Sequence, residues 1–433
     1  MLALKKPSEK TNNKRLQTIF LVTIAGFLVA VFYCYIMGHY LGKSYPYDSF
    51  LFIASDRYND YFNTIKHTFD TYSSISAGAG YFPFMYITLI PFTLLPKFAS
   101  FFAYFFVFCL IYFISSYSTL KDENKLQSLA VCLILFAISF PFLFLIDRGN
   151  VEATVYVFVL LFIYFYRKKK FTASAVFLAM AISCKLFPVI FSIIYLKDKK
   201  YKEFFKVAAF SLILTIGSFL LLKCDLQMLI NNLSFFNKNY FLGNWGLPFS
   251  HSLHTLVKAI LAFFNQYNIL SANQVKNIVN FEISIYTYVV LFFIAILAIY
   301  TIIFEKVAWR IITLLTIGML LFANVSFDYR LIYLMIPVML FIISNEKLTN
   351  KSNIFYGILF GLMLIPKNYY ITDYSADNSA NIGGIINPLL FIIMIVAIMK
   401  DGLKGKNIGA SLKTYLLELF PKKVSVEKVG PII

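Results

Sequence analysis

Residues 167–200 read RKKK-FTASAVFLAMAISCKLFPVIFSIIYL-KDKK. The 26 residues 171–196 are largely apolar and stand between two basic clusters, Arg167–Lys170 and Lys197–Lys200, the second extended by Lys202. Clusters of this kind stay on the cytoplasmic side of a membrane, so the chain between them must enter the bilayer and return. Each arm of about 13 residues reaches about 20 Å at 1.5 Å per residue, short of a hydrocarbon core of about 30 Å. The bend, Cys184-Lys185-Leu186-Phe187-Pro188, then falls in the outer half of the bilayer or at its edge. A lysine there needs a reason. Snorkelling explains a lysine near a helix end, but not a hairpin that carries one outward.

The rest of the chain agrees with a membrane setting. Of 433 residues, 60% are hydrophobic and 14% are charged, whereas a soluble domain needs about 25% charged residues to clothe its surface. The net charge of +18 lies in short gaps between apolar runs, which argues for cytoplasmic loops rather than a nucleic-acid partner. The five cysteines show no CxxC spacing and no disulfide framework, and read as small packing residues.

The basic segment 1–16 precedes an apolar run to about Tyr40, and the bulky CYIMGHY at its end reads as a retained span rather than a cleaved leader. Further spans fall near 98–118, 127–146, 150–166, 203–222, 278–303, 309–325, 330–345, 352–366 and 382–400. Residues 81–96, YFPFMYITLIPFTLLP, do not fit a full crossing, because one would put Arg167–Lys170 outside. They read as a half-helix entering from the outer side and broken by Pro91 and Pro96, a conformation tolerated only where protein or a water-filled cavity covers it. With these choices nearly all the net positive charge lies inside. The fold class is an all-α polytopic membrane protein of about 10–12 spans. It has a first outer loop at 41–80, a long outer segment at 223–277 and a basic cytoplasmic tail at 401–433, of which 407–420 has the pattern of a surface helix.

Polar residues of unusual type collect on the outer side. The first outer loop carries SDRYNDYFN at 55–63. If helical, it sets Asp56 and Asp60 as i,i+4 neighbours, and like charges that close suit one of them to general-base work. Asp147-Arg148-Gly149-Asn150 joins two spans: Asp147 or Asn150 suits a helix cap, and Arg148 suits an anchor at the headgroups. Glu152, one turn further in, needs a cavity or a cation, and Arg148 is the nearest candidate. Ser326–Arg330 (SFDYR) offers Asp328, Tyr329 and Arg330, the first and last able to pair with each other or Arg330 with a phosphate. His251 and His254 read as interfacial histidines rather than metal ligands. Such a set suits a lipid-phosphate sugar: a carboxylate takes a proton from the acceptor hydroxyl, and fixed cations meet the leaving phosphate.

These motifs also carry a resemblance. An acidic first outer loop, Tyr81-Phe82-Pro83-Phe84 in place of Tyr-x-Pro-Pro, Arg148-Gly149-Asn150 and Lys185-Leu186-Phe187-Pro188, in that order and spacing, resemble the GT-C superfamily of polyprenyl-phosphate-sugar-dependent glycosyltransferases. The chain looks closest to the bacterial envelope mannosyltransferases of glycosyltransferase family 87. It is more distantly similar to the eukaryotic enzyme that adds the first mannose of the GPI anchor. The resemblance implies a GT-C-like catalytic domain over 17–400 and inverting transfer of a hexose, usually mannose, to a glycan or glycolipid acceptor at the outer face of a bacterial plasma membrane. It further implies a base at Asp60 or Asp56, Asp60 preferred, with Lys185, Arg148 and Arg330 on the donor phosphate. Asn150, Glu152, Asp328, Tyr329, His251 and His254 would play supporting parts. The donor is a polyprenyl-phosphate sugar, with no metal or other cofactor expected, membrane lipids as surroundings and no nucleic acid. The alternatives are a lipid-linked glycan flippase or transporter, against which the absence of related halves argues, and an envelope polysaccharide polymerase.

Overall fold

The computed structural model describes residues 9–66, 68, 81–120, 129, 132, 138–372 and 379–410. The surface helix expected at 407–420 lies outside the described residues from 411 on, as do most of 67–80 and the first part of the span expected at 127–146.

Among the described residues the chain is helical with no strand. The first helices are α1 (Glu9–Tyr35), α2 (Asn59–Lys66), α3 (Pro83–Thr93), α4 (Lys97–Leu120), α5 (Phe140–Arg148), α6 (Glu152–Arg167) and α7 (Phe171–Cys184). After them come α8 (Ile193–Lys197), α9 (Tyr201–Leu221), α10 (Leu226–Phe236), α11 (Leu253–Gln266), α12 (Ala272–Ile303), α13 (Ala308–Leu321), α14 (Met335–Ile342), α15 (Asn350–Leu364) and α16 (Ile382–Leu403). Among the described residues five helices are long and apolar enough to cross a membrane: Lys14–Tyr40 (α1 continued by a π-turn), Lys97–Ser118, Tyr201–Leu221, Ala272–Ile303 and Ile382–Leu403. The protein is an all-α polytopic membrane protein.

Burial separates an inner layer from an outer one. Residues Trp309 to Leu321 of α13 and all of α14 are buried, and helices apolar all round belong at the centre of a bundle. The long outer helices expose large side chains, among them Phe32 of α1, Phe102 and Phe106 of α4, Ile213 of α9 and Leu291 of α12. Apolar surface on that scale is solvated by lipid tails, not by water.

Within the segment 171–196 the chain reverses at Lys185. Helix α7 ends at Cys184, Lys185 is extended (φ −163°, ψ 133°), and a 3₁₀ turn at Phe187–Ser192 leads back through α8. Tyr195 on the returning arm donates to the Ser174 hydroxyl near the start of α7 (2.8 Å), so the feet meet. Helix α3 also takes the short form expected, with Pro83 at its first turn, where a missing N–H costs nothing. One detail differs. Pro91 lies inside α3 without ending it, and the chain breaks at 94–96. Pro91 sits in the last turn, where the helix stops before the lost hydrogen bond propagates.

The bundle has two unlike ends. At one, Arg15 of α1 is fully buried and donates to Asn353 Oδ1 (2.7 Å) and to the carbonyls of Phe341 (2.9 Å), Ser344 (2.5 Å) and Glu346 (2.7 Å). Arg310 of α13 meets the Glu346 carboxylate at 2.5 Å, and the hairpin foot Lys197 lies in the field of Glu305 and Lys306 beside them. The opposite end carries the first loop, the bend at Lys185 and the turn between α5 and α6.

Candidate active site

Helices α6 and α7 are antiparallel neighbours joined by the tight turn Lys168–Lys170, so the first residue of α6 faces the residue that follows α7. These are Glu152 and Lys185. Lys185 Nζ donates to Glu152 Oε2 at 2.8 Å, and the Tyr333 hydroxyl donates to Oε1 at 2.7 Å. The ammonium also lies 4.4 Å from the centre of the Tyr81 ring and 5.6 Å from that of Phe187. The sequence-based expectation that Arg148 partners Glu152 is therefore corrected. One turn of helix separates their backbones, but Arg148 ends α5 while Glu152 begins α6, and the left-handed Gly149 between them (φ 64°) turns the two side chains apart.

Arg148 goes to the first loop instead. Its guanidinium donates to Asp56 Oδ2 (2.8 Å) and to both carboxylate oxygens of Asp60, and stacks on Phe52 with Cζ 3.9 Å from the ring centre. Burial works against its charge, but the two carboxylates outweigh burial and raise its pKa. Asp56 and Asp60 do not share one helix. Residues 54–56 form a 3₁₀ turn, Arg57 is extended, Tyr58 is left-handed (φ 62°), and α2 starts only at Asn59. The i,i+4 pair read from the sequence becomes two carboxylates gathered by one guanidinium, because cation pairing replaces like-charge crowding.

Asn150 connects this trio to the lysine. Its Nδ2 donates to Asp60 Oδ2 (2.7 Å), while its Oδ1 accepts from the Tyr81 hydroxyl (2.8 Å) and caps α6 at the Glu152 N–H (2.9 Å). Of the two residues read as caps, Asn150 is the one that reaches the first N–H of α6, from one position before the cap residue Val151. Asp147 instead accepts from the Phe52 N–H (2.9 Å) and pairs with Arg57 (3.0 Å), although burial raises its pKa more than these partners lower it. Helix α3 is held against the same group by the Phe82 N–H, which donates to the Cys184 carbonyl at 3.0 Å.

Arg330 completes the arrangement from a distant part of the chain. It sits in the 3₁₀ turn Asp328–Leu334, with Cζ 4.9 Å from the Phe187 ring and one nitrogen donating to the Val325 carbonyl (2.5 Å), while its buried Nε has no partner among the described residues. Tyr329 is half-buried in the same turn, within electrostatic reach of Asp60 and Glu152. Asp328 does not pair with Arg330. It turns away and meets His251 Nε2 at 2.5 Å, the His251 ring bonding on its other side with the Gly383 carbonyl (3.1 Å). His254 lies against Glu282 (2.7 Å) and the Phe241 carbonyl (2.8 Å). Both imidazoles are buried rather than interfacial, because each ties the long segment 223–277 to a neighbouring helix or turn. Lys258, in the same segment, donates to the carbonyls of Phe241 and Gly243 (2.7 Å each), and burial pushes its pKa down to about 8. Among the described residues no group of three or more His, Cys, Asp or Glu is placed to hold a metal ion.

Formal charges divide the site. Arg148 with Asp56 and Asp60 leaves one negative charge. Lys185 with Glu152 is neutral, and Arg330 adds one positive charge beyond it. The sequence did not single out Tyr333 or Phe52, and Phe187 entered only as part of the motif at 185–188. Tyr333 stands three residues after Arg330, the repeat of a 3₁₀ helix, and that spacing was the available signal.

Breaking the buried pair should show its weight. Glu152→Ala leaves Lys185 unpaired and is expected to cost roughly 3–5 kcal/mol, whereas the double variant Glu152→Gln/Lys185→Met recovers most of it. Thermal unfolding of the detergent-purified proteins checks this, and equal loss in both variants would refute it.

An all-α membrane bundle that sets a negative group against a positive one across a few side chains defines a polytopic membrane protein with a partly buried polar cluster at one end. A profile of glycosyltransferase family 87 matches residues 80–321. The match covers more than half the chain, and the chain belongs to glycosyltransferase family 87: it is a membrane glycosyltransferase, in keeping with a GT-C superfamily placement. The matched stretch contains Tyr81, Arg148, Asn150, Glu152 and Lys185, while Asp56, Asp60 and Arg330 lie outside it. No curated protein and no solved structure matches the chain.

Proposed function

We propose that the protein transfers a hexose, mannose before others, from a polyprenyl-phosphate sugar to a glycan or glycolipid acceptor at the outer face of the membrane, with inversion and without a metal. The observation that carries this reading is the charge division: a carboxylate with surplus negative charge lies one asparagine and one tyrosine away from a lysine and an arginine.

Asp60 is the base. It lies in the first turn of α2 and within electrostatic reach of Tyr81, Lys185 and Tyr329. The acceptor oxygen attacks the anomeric carbon as Asp60 takes its proton, and the carbon–oxygen bond to the carrier phosphate breaks on the opposite face. Arg148 is occupied by two carboxylates, so its part is to fix Asp56 and Asp60 in place rather than to hold phosphate. The phosphate falls to Arg330, whose buried Nε has no partner among the described residues, and to Lys185, which can share its remaining donors while Glu152, itself bonded by the Tyr333 hydroxyl, holds it. Fixed donors aimed at the charge that develops cost no reorganisation during the reaction.

Purified protein incubated with polyprenyl-phosphate mannose and an acceptor glycan is expected to release carrier phosphate, form a product of inverted anomeric configuration and keep its activity in EDTA. A panel of glucose, galactose and amino-sugar donors ranks the sugar. Translocation of the intact lipid-linked sugar without released phosphate would instead support a flippase.

A further inference from the structure

We infer that the groove between α15 and α16 at the Arg15 end of the bundle binds an anionic phospholipid. Independently of the proposed reaction, the structure has there a cavity of about 530 Å³ whose lining includes Lys351, Ser352, Phe355, Ile393, Val396 and Lys400. Its composition is divided lengthwise. Phe355, Ile393 and Val396 form a slot open to the lipid side, 43%, 46% and 57% exposed. Lys351, in the first turn of α15, and Lys400, in the last turn of α16, close the polar end.

Neither lysine takes part in an ion pair among the described residues. Asp401 also lines the cavity, but it accepts from the Tyr356 hydroxyl (2.8 Å) and lies 3.8 Å from Arg310, so cationic and hydroxyl groups of the interior answer its charge. Two exposed ammonium groups above an apolar slot match an acyl chain topped by a phosphate. Basic pockets between membrane helices recognise anionic headgroups on the same physical terms. The chain's own tail is a poorer match, since 411–433 carries Lys413, Lys422, Lys423 and Lys428 against Glu418 and Glu427 and would meet the two lysines with like charge.

The bound lipid braces two helices whose far ends matter. The first residues of α16 lie against the His251–Asp328 pair, with the Gly383 carbonyl bonded to the His251 ring, and Arg330 stands two residues from Asp328.

The test uses the full-length protein in nanodiscs of phosphatidylcholine titrated with phosphatidylglycerol, read by native mass spectrometry of the released complex. The wild type is expected to retain phosphatidylglycerol in preference to phosphatidylcholine. Lys351→Gln/Lys400→Gln is expected to weaken that preference about thirtyfold, the equivalent of ~1 kcal/mol for each lysine. Val396→Trp, which fills the slot and leaves both charges, is expected to lose the lipid as well. Retention unchanged in both variants overturns the site. So does displacement of phosphatidylglycerol by added polyprenyl phosphate, which would assign the groove to the carrier. A rise in lipid occupancy on truncation after residue 410 would assign it to the tail, and likewise ends the proposal.

Discussion

Asp60→Asn is expected to lower the transfer rate by about 10²–10⁴, the usual contribution of a general base, with little change in thermal stability. The amide keeps the shape of the carboxylate and one acceptor oxygen, enough to keep the bond from Arg148 or the one from Asn150, while Asp56 still holds Arg148, so the loop stays in place while proton abstraction is lost. Asp56→Asn should act differently. Asp56 holds Arg148 at 2.8 Å, and Asn59 donates to its other oxygen, so its loss disturbs placement rather than chemistry and should cost less than about tenfold, within the reach of a single partly exposed pair. The two variants are compared in single-turnover assays with saturating donor, together with the melting temperature of each. Near-normal transfer by Asp60→Asn would remove the base assigned here, and a larger loss at Asp56 would exchange the two roles.

A second large effect is expected from a methyl group far smaller than any side chain in the site. Gly149 is left-handed at φ 64°, and a Cβ built on it would stand 2.8 Å from Tyr58 Cα and 3.1 Å from the Tyr58 carbonyl oxygen. Backbone cannot yield as a flexible side chain does. Gly149→Ala must therefore push the first loop away from the α5–α6 turn and break the bond from the Tyr58 N–H to the Asp147 carbonyl (2.9 Å). Displacing a catalytic group by about 1 Å can cost 10²-fold, and a loss of at least that size is expected, with a melting temperature lowered by overpacking of about 1–3 kcal/mol. Gly42→Ala is the control: Gly42 has φ 61° but nothing within 4 Å of a Cβ, so it carries the left-handed strain of about 1–2 kcal/mol without the collision. If both variants transferred equally well, contact between loop and turn would not be what sets Asp60.

Much of this arrangement was legible because short-range rules suffice for it. The reversal of the chain at Lys185 is foreshadowed by two basic clusters too close for two crossings, and the start of α3 by Pro83 at its first turn. Capping by Asn150 is likewise local. The partners of the charged residues were not local. Glu152 was assigned to the nearest cation in sequence, Arg148, yet it bonds Lys185, 33 residues away, because antiparallel packing of α6 on α7 brings opposite ends of the chain segment together. Asp328 was weighed against Arg330 two residues on, yet in a 3₁₀ turn those side chains point in different directions and His251 takes the carboxylate.

The sequence by itself determined that this chain lives in a bilayer and which residue types gather toward one end. Hydropathy, charge bias and helix punctuation act over tens of residues and need no knowledge of neighbours. Only the tertiary structure decided which charge faces which, and therefore that Asp56 and Asp60 share Arg148 while Lys185 takes Glu152. The reason is physical: inside an apolar bundle an ionised side chain must find its partner wherever packing places one, and helix packing brings together residues whose separation along the chain carries no trace of it.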